Sequence, residues 1–175
     1  MNPYARSWAG AVGLWQFMHG TARLYNMRVD SYVDERHDPV KATQAAARYL
    51  RDLYNMYGNW HMAMAAYNCG PGRLNRAIRA AGGASSYWEL TEYLPRETRG
   101  YVPAFIGAAY AMSYAAEHNI TPTPANFTFL QDSIIVIRQR LDLRTLARET
   151  GTDFALLNKL NPELRLGVVP YSERP

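Results

Sequence analysis

Cysteine occurs once in this chain, at Cys69, which excludes a disulfide framework and any cysteine-built zinc site. Apolar runs are short, and none approaches the roughly 18 residues that a membrane-spanning helix requires. The chain does not open on a charged-then-apolar leader. There is no P-loop, no GxSxG elbow, no HExxH and no glycine-rich dinucleotide turn. The four histidines, His19, His37, His61 and His118, are scattered without ligand spacing, so neither a metal nor a cofactor is implied. Lysine and arginine outnumber the acids by 19 to 15, yet no basic run is long enough to form a nucleic-acid arm. An anionic partner suits the charge, and nucleic acid is the weakest choice among such partners.

What the chain does have is tyrosine and tryptophan, thirteen and four against five phenylalanines. Both side chains join a flat apolar face to a polar handle. Their excess fits an open groove for a polar polymer as well as a helical core, and composition leaves both readings open.

The first 118 residues predict helices. "DPVKATQAAARYLRDLYNMYG" has Asp38 as N-cap, Pro39 at the first helical position and Gly58 as stop. "NWHMAMAAYNCGPG" is a short, very apolar helix ended by Gly70-Pro71-Gly72, and "GRLNRAIRAAGG" is basic and amphipathic. "RETRGYVPAFIGAAYAMSYAAEHN" is a long apolar helix with Pro103 near its start. Several of these are apolar on more than one face, which predicts a compact bundle, and no strand pattern falls among them. "ITPTPANFT" then reads as a linker. Beyond it "SIIVI" and "GVV" predict strands flanking two short helices, a small β-α-α-β unit that stops unfinished at Pro175.

Three stretches could carry chemistry. In "SWAGAVGLWQFM" the glycines let the backbone turn tightly, and Gln16 offers both a donor and an acceptor. In "AAYNCGPG" a Tyr67-Asn68 pair ends an apolar helix against a turn, and in "YLPRETRGYV" Glu97 and Arg99 stand beside Tyr101 at a helix start. Each is also readable as a structural turn or, for Glu97, as a helix-start carboxylate set against the dipole. Together they read as separate walls of one site.

In order and spacing, "NPYARSWAGAVGLWQFM", "AAYNCGPG" and "YLPRETRGYVP" resemble the three motifs of the lysozyme-like lytic transglycosylases, most closely the membrane-bound group D. The resemblance implies a mainly α, goose-lysozyme-type helical domain that cleaves peptidoglycan between N-acetylmuramic acid and N-acetylglucosamine. The family's first motif reads Glu-Ser-Gly-apolar-Asn-Pro, and this chain enters it at Met1, with Asn2 and Pro3 following. The motif's catalytic glutamate would stand three residues before Met1, so the expectation is a domain lacking its N-terminal part and, by itself, inactive.

Carried over position by position, the resemblance makes Tyr67 the supporting residue whose hydroxyl orients that glutamate. It makes Ser7, Gln16, Trp15, Asn68, Glu97 and Tyr101 the substrate-binding set. Cys69 stands where alanine is common and reads as a small buried hydrophobe.

The tail resembles a LysM module, which binds N-acetylglucosamine polymers, with "RLDL" in place of the usual Gly-Asp-Thr opening. The expected division is residues 1–120 as the transglycosylase-type domain, 121–129 as linker and 130–175 as an incomplete LysM-like module. Family resemblance places the parent protein in the periplasm or at the outer membrane, reached through an anchor outside this chain. It acts there as a monomer on peptidoglycan glycan strands. Two alternatives stand beside this reading. One is a non-catalytic glycan-binding pseudoenzyme. The other is a goose-type hydrolase, which needs a water-directing carboxylate from among Asp30, Asp34 and Asp38.

Overall fold

A computed structural model describes residues 2–123 and 134–171. The chain forms two compact units, one of residues 48–125 and one that joins 1–47 to 126–175.

In the contiguous unit the helices begin and end where local chemistry dictates. Helix α2 (Pro39–Tyr57) starts at Asp38, whose carboxylate accepts from the backbone N–H of Val40 at 2.9 Å and of Lys41 at 3.0 Å. It runs across the boundary between the units. Helix α3 (Trp60–Cys69) is capped by Asn59, and Gly70, at φ +84°, turns the chain directly into α4 (Pro71–Ala80). Only one residue separates α3 and α4. The Gly-Pro-Gly signal is a hinge between helices, with Pro71 free to open the second because its position needs no N–H donor. A 3₁₀ helix (Tyr87–Tyr93) leads into α5 (Arg96–Ser113). The apolar faces of these elements meet in a core of Leu53, Met62, Leu74, Tyr87, Leu90 and Val102 with alanines between them.

Pro103 lies inside α5 rather than at its first position. It cannot donate to the carbonyl four residues back, that of Arg99. The fully buried Tyr87 fills the gap: its hydroxyl lies 2.7 Å from Arg99 O and 3.1 Å from Thr98 O. Tyr87→Phe keeps the ring and removes only that donor. The expected cost is about 1–3 kcal/mol, read as a lowered denaturation midpoint with unchanged helical circular dichroism.

The other unit begins with tight loops. Isolated β-bridges join Arg6 to Val12, Val12 to Phe17 and Val29 to Asp34, pairings that no alternating pattern announces in the sequence. A short helix, α1 (His19–Leu24), follows the second of them. The C-terminal part has strand β1 (Leu141–Asp142), helices α6 (Leu143–Thr150) and α7 (Phe154–Leu160), and strand β2 (Val168–Val169) antiparallel to β1. Asp142 and Asp153 cap the two helices.

The β-α-α-β order is as expected, but its first strand is not "SIIVI". Residues 134–137 join no strand among the described residues, and Ile134, Ile135 and Val136 are exposed. β2 is only two residues long and its register is taken by Leu141 and Asp142. The linker expected at 121–129 lies, from residue 124 on, outside the described residues. The C-terminal part closes onto the N-terminal part of its own unit through Val33, Leu143 and Leu164, with Tyr32, Phe154 and Leu157 packed around them.

Candidate functional site

In the contiguous unit, α3 ends by presenting Tyr67 and Asn68 toward the first two turns of α5, which carry Glu97, Thr98 and Tyr101. The side-chain amide of Asn68 joins them. Its Nδ2 donates to Glu97 Oε1 at 3.2 Å, and its Oδ1 accepts from the buried Thr98 hydroxyl at 2.8 Å. Thr98 has a proton to give and Glu97 has only lone pairs, so the two fix which way the amide faces. One N–H of Asn68 remains for a ligand.

Tyr67 packs against Tyr49, with ring centroids 5.2 Å apart. Its phenol is held far above the usual range, chiefly by burial, with Tyr101 and Tyr49 adding to the effect. Tyr101 and Tyr49 are raised as well, again by burial first. Three neutral phenols therefore stand together, and Tyr67 keeps its proton at any physiological pH. Cys69 is half-buried and burial raises its thiol, which stays protonated.

Ser7, Trp15 and Gln16 belong to the other unit, where all three brace loops. Ser7 Oγ accepts from Ala11 N at 2.9 Å, closing the turn around Gly10. Trp15 Nε1 donates to Thr43 Oγ1 at 2.8 Å, which sets the indole against the first turns of α2. Gln16 sits at φ +50°, a conformation that L residues rarely adopt, and its Nε2 donates to Gly13 O at 2.7 Å and to Ala5 O at 3.3 Å. A strained, exposed glutamine bonded back to its own loop leaves its amide oxygen as an acceptor for a ligand.

The three aspartates weighed for a hydrolase all have structural work. Asp30 accepts from the backbone of Tyr32 and Val33 and pairs with Arg28 at 2.6 Å. Asp38 caps α2. Asp34 is fully buried, gripped through both oxygens by Arg36 at 2.8 Å and reached by Arg165 at 2.7 Å. Burial alone would raise its pKa, but the hydrogen bonds and charges of the two arginines overcome that and hold it well below the usual carboxylate range. A carboxylate so committed cannot direct a water.

Sequence reasoning passed over Tyr49 and Thr98. Tyr49 sits in an amphipathic helix and reads as core. Thr98 is a single residue between two chemically conspicuous ones, and only the fold reveals that it faces Asn68. Among the described residues no cluster of His, Cys, Asp or Glu is suited to a metal, and no helix is long and apolar enough to cross a membrane.

Residues 1–89 match the family model described as the transglycosylase SLT domain. The chain belongs to that family. Its described residues are mainly helical. The match takes in the Ser7–Gln16 loop and the Tyr67-Asn68 pair and ends before Glu97, which the Asn68 amide ties back to the matched region.

The chain is 34% identical over 123 residues to membrane-bound lytic murein transglycosylase D of Escherichia coli, covering 68% of this chain and 27% of that protein. It is 33% identical over 109 residues to the peptidoglycan transglycosylase gp16 of Escherichia phage T7, covering 61% of this chain and 8% of that protein. In the crystal structure of the 70 kDa soluble lytic transglycosylase of Escherichia coli, the matched part covers 57% of this chain and 17% of that one. There the identity is 33% and the TM-score 0.47. The chain thus spans about a quarter of the length of the membrane-bound relative.

Proposed function

We propose that this SLT domain is the glycan-holding body of a peptidoglycan lytic transglycosylase of the bacterial periplasm. The reaction cleaves the β-1,4 bond from N-acetylmuramic acid to N-acetylglucosamine and leaves a 1,6-anhydro-N-acetylmuramic acid end. The observation that carries this reading is the Asn68 junction, where one amide fixed by Thr98 ties Glu97 of α5 to the end of α3 that carries the neutral Tyr67 phenol.

The chemistry needs one carboxylic acid. It protonates the glycosidic oxygen as positive charge develops on the sugar ring, then takes the proton of the 6-hydroxyl that attacks the anomeric carbon. Tyr67, which never ionises in use, donates a hydrogen bond that orients that acid. The remaining N–H of Asn68, the Glu97 carboxylate and the Tyr101 hydroxyl take the sugar's polar groups. Ser7, Trp15 and Gln16, in the other unit, make glycan contacts of their own. No residue of 1–175 stands at the motif position of the acid itself. The β-α-α-β unit of residues 141–169 adds a second hold on N-acetylglucosamine.

The test joins the chain, at Met1, to a helix ending in Glu-Ser-Gly. Purified sacculi are then assayed for soluble 1,6-anhydromuropeptides. The expected result is release by the glutamate-bearing protein, none by its Gln-Ser-Gly counterpart, and binding without release by the 175 residues alone. Tyr67→Phe in the active form lowers the rate about tenfold or more while the melting temperature holds, because one orienting hydrogen bond is lost. If the glutamate-bearing protein binds sacculi and never cleaves them, the non-catalytic glycan-binding reading takes its place.

A further inference from the structure

A concave pocket that Asn68 does not line lies between α4 and the stretch from the end of the 3₁₀ helix to the start of α5. Its volume is about 410 Å³. From α4 it is lined by Arg73, Arg76, Ala77 and Ala80, a spacing of three, four and seven that sets all four on one helix face. The two arginines head the stripe and the two alanines open a floor beneath them. The opposite wall includes Tyr93 and Pro95, with the guanidinium of Arg99.

Arg99 is fixed in place. Its Nε donates to Leu94 O at 2.9 Å and one Nη to Glu92 O at 3.0 Å, which leaves three of its five N–H groups to serve a ligand. Arg73 and Arg76 form no ion pair among the described residues. One acid lines the pocket, Glu92, which lies 3.9 Å from Arg99 with its side chain 85% exposed. Three arginines therefore line the pocket against one loosely engaged acid.

A neutral sugar offers such a site nothing to pair with, whereas a planar guanidinium fork matches a carboxylate or a phosphate. The alanine floor and the Tyr93–Pro95 wall suit a ligand with an apolar body attached to its charge. We infer that this pocket binds a carboxylate-bearing peptide, the acidic peptide carried by the muramic acid of the glycan strand. The inference rests on the proposed function. Arg99 lies between Glu97 and Tyr101 in sequence but roughly half a turn round α5 from both, so glycan and peptide occupy different faces of one helix start.

The experiment titrates the 175-residue chain by calorimetry with four probes. These are an N-acetylmuramoyl peptide with free carboxylates, the same compound amidated, chitotetraose and inorganic phosphate. The paired variant is Arg73→Gln with Arg76→Gln, both exposed, so the fold is undisturbed. Expected is a loss of about tenfold or more in affinity for the free-acid muropeptide, an amidated form that binds the wild type as weakly as the free acid binds the variant, and unchanged affinity for chitotetraose. Equal binding of free and amidated muropeptide, or an unaffected variant, overturns the inference. So does saturable phosphate binding that matches the muropeptide. Failure of chitotetraose to bind, with charge-dependent muropeptide binding intact, strikes at the glycan reading and leaves the pocket standing.

Discussion

Asp34→Ala destabilises the unit that contains it by about 3–5 kcal/mol. The substitution removes little volume, but it strips Arg36 of both its carboxylate bonds. That arginine is 5% exposed, and its remaining side-chain partners are the carbonyls of Gly10 at 3.3 Å and Phe17 at 3.2 Å. A buried cation with neutral partners alone is far costlier than a buried pair. Arg165→Gln is the control. Its side chain is 36% exposed on the same carboxylate, so water replaces much of what is lost and the cost stays near 1 kcal/mol or below. Two compact units need not melt together. The right observable is therefore amide hydrogen exchange within residues 5–36, where D34A loses protection and R165Q largely retains it. Equal protection in all three proteins would mean that the arginines gain nothing from Asp34.

The same carboxylate makes this unit sensitive to acid. Its pKa in the folded protein lies below the ordinary 3.8 that it regains on unfolding. Its contribution is therefore complete at neutral pH, begins to fall as pH drops toward 4, and is lost on passing below the folded value. Denaturation midpoints of wild type and D34A should converge as the solution is made strongly acidic.

Gly13→Ala is the second severe change, expected to cost more than about 3 kcal/mol and to dismantle the Gln16 loop. Gly13 has φ +82°, and a Cβ built there would stand 1.8 Å from Arg36 O and 2.9 Å from its carbonyl carbon. Both are backbone atoms, tied by the Arg36–Asp34 pair and unable to yield as a side-chain tip would. Gly10 is the comparison, with φ +87° and nothing within 4 Å of the added carbon. Gly10→Ala pays only for the left-handed backbone, about 1–2 kcal/mol. Calorimetry on the two variants separates conformational strain from collision. A G13A protein as stable as G10A would show that the 13–36 contact can relax. Because Gly13 O accepts from Gln16 Nε2, the G13A loop also loses the arrangement that presents Gln16.

Much of the helical framework was legible because capping is local. Asp38 before Pro39, Asn59 two residues ahead of His61, and Gly58 after Tyr57 each act within one turn of their own position. Tyr67, Asn68, Glu97 and Tyr101 were legible through motif resemblance, and the fold brings them to adjoining helix ends. What the sequence could not disclose were roles assigned by distant partners. Tyr87 stands in for a proline's missing donor across 12 residues, and Thr98 orients an amide 30 residues away. Asp34 answers to an arginine 131 residues further along. The hydrophobic run at 134–137 misled for the converse reason. β-branched residues suit a strand, but the two-residue β2 has its register filled by Leu141 and Asp142.

The Asp34–Arg165 contact also bears on how the chain is made. Residues 48–123 form a compact unit from one continuous stretch, so they can condense as soon as that stretch has emerged. Residues 28–36 must wait for Leu164 and Arg165, with the whole contiguous unit synthesised in between. Closing so long a loop is slow while the intervening chain is random and faster once it has condensed. A ribosome-bound chain should therefore order residues 48–123 before residues 28–36.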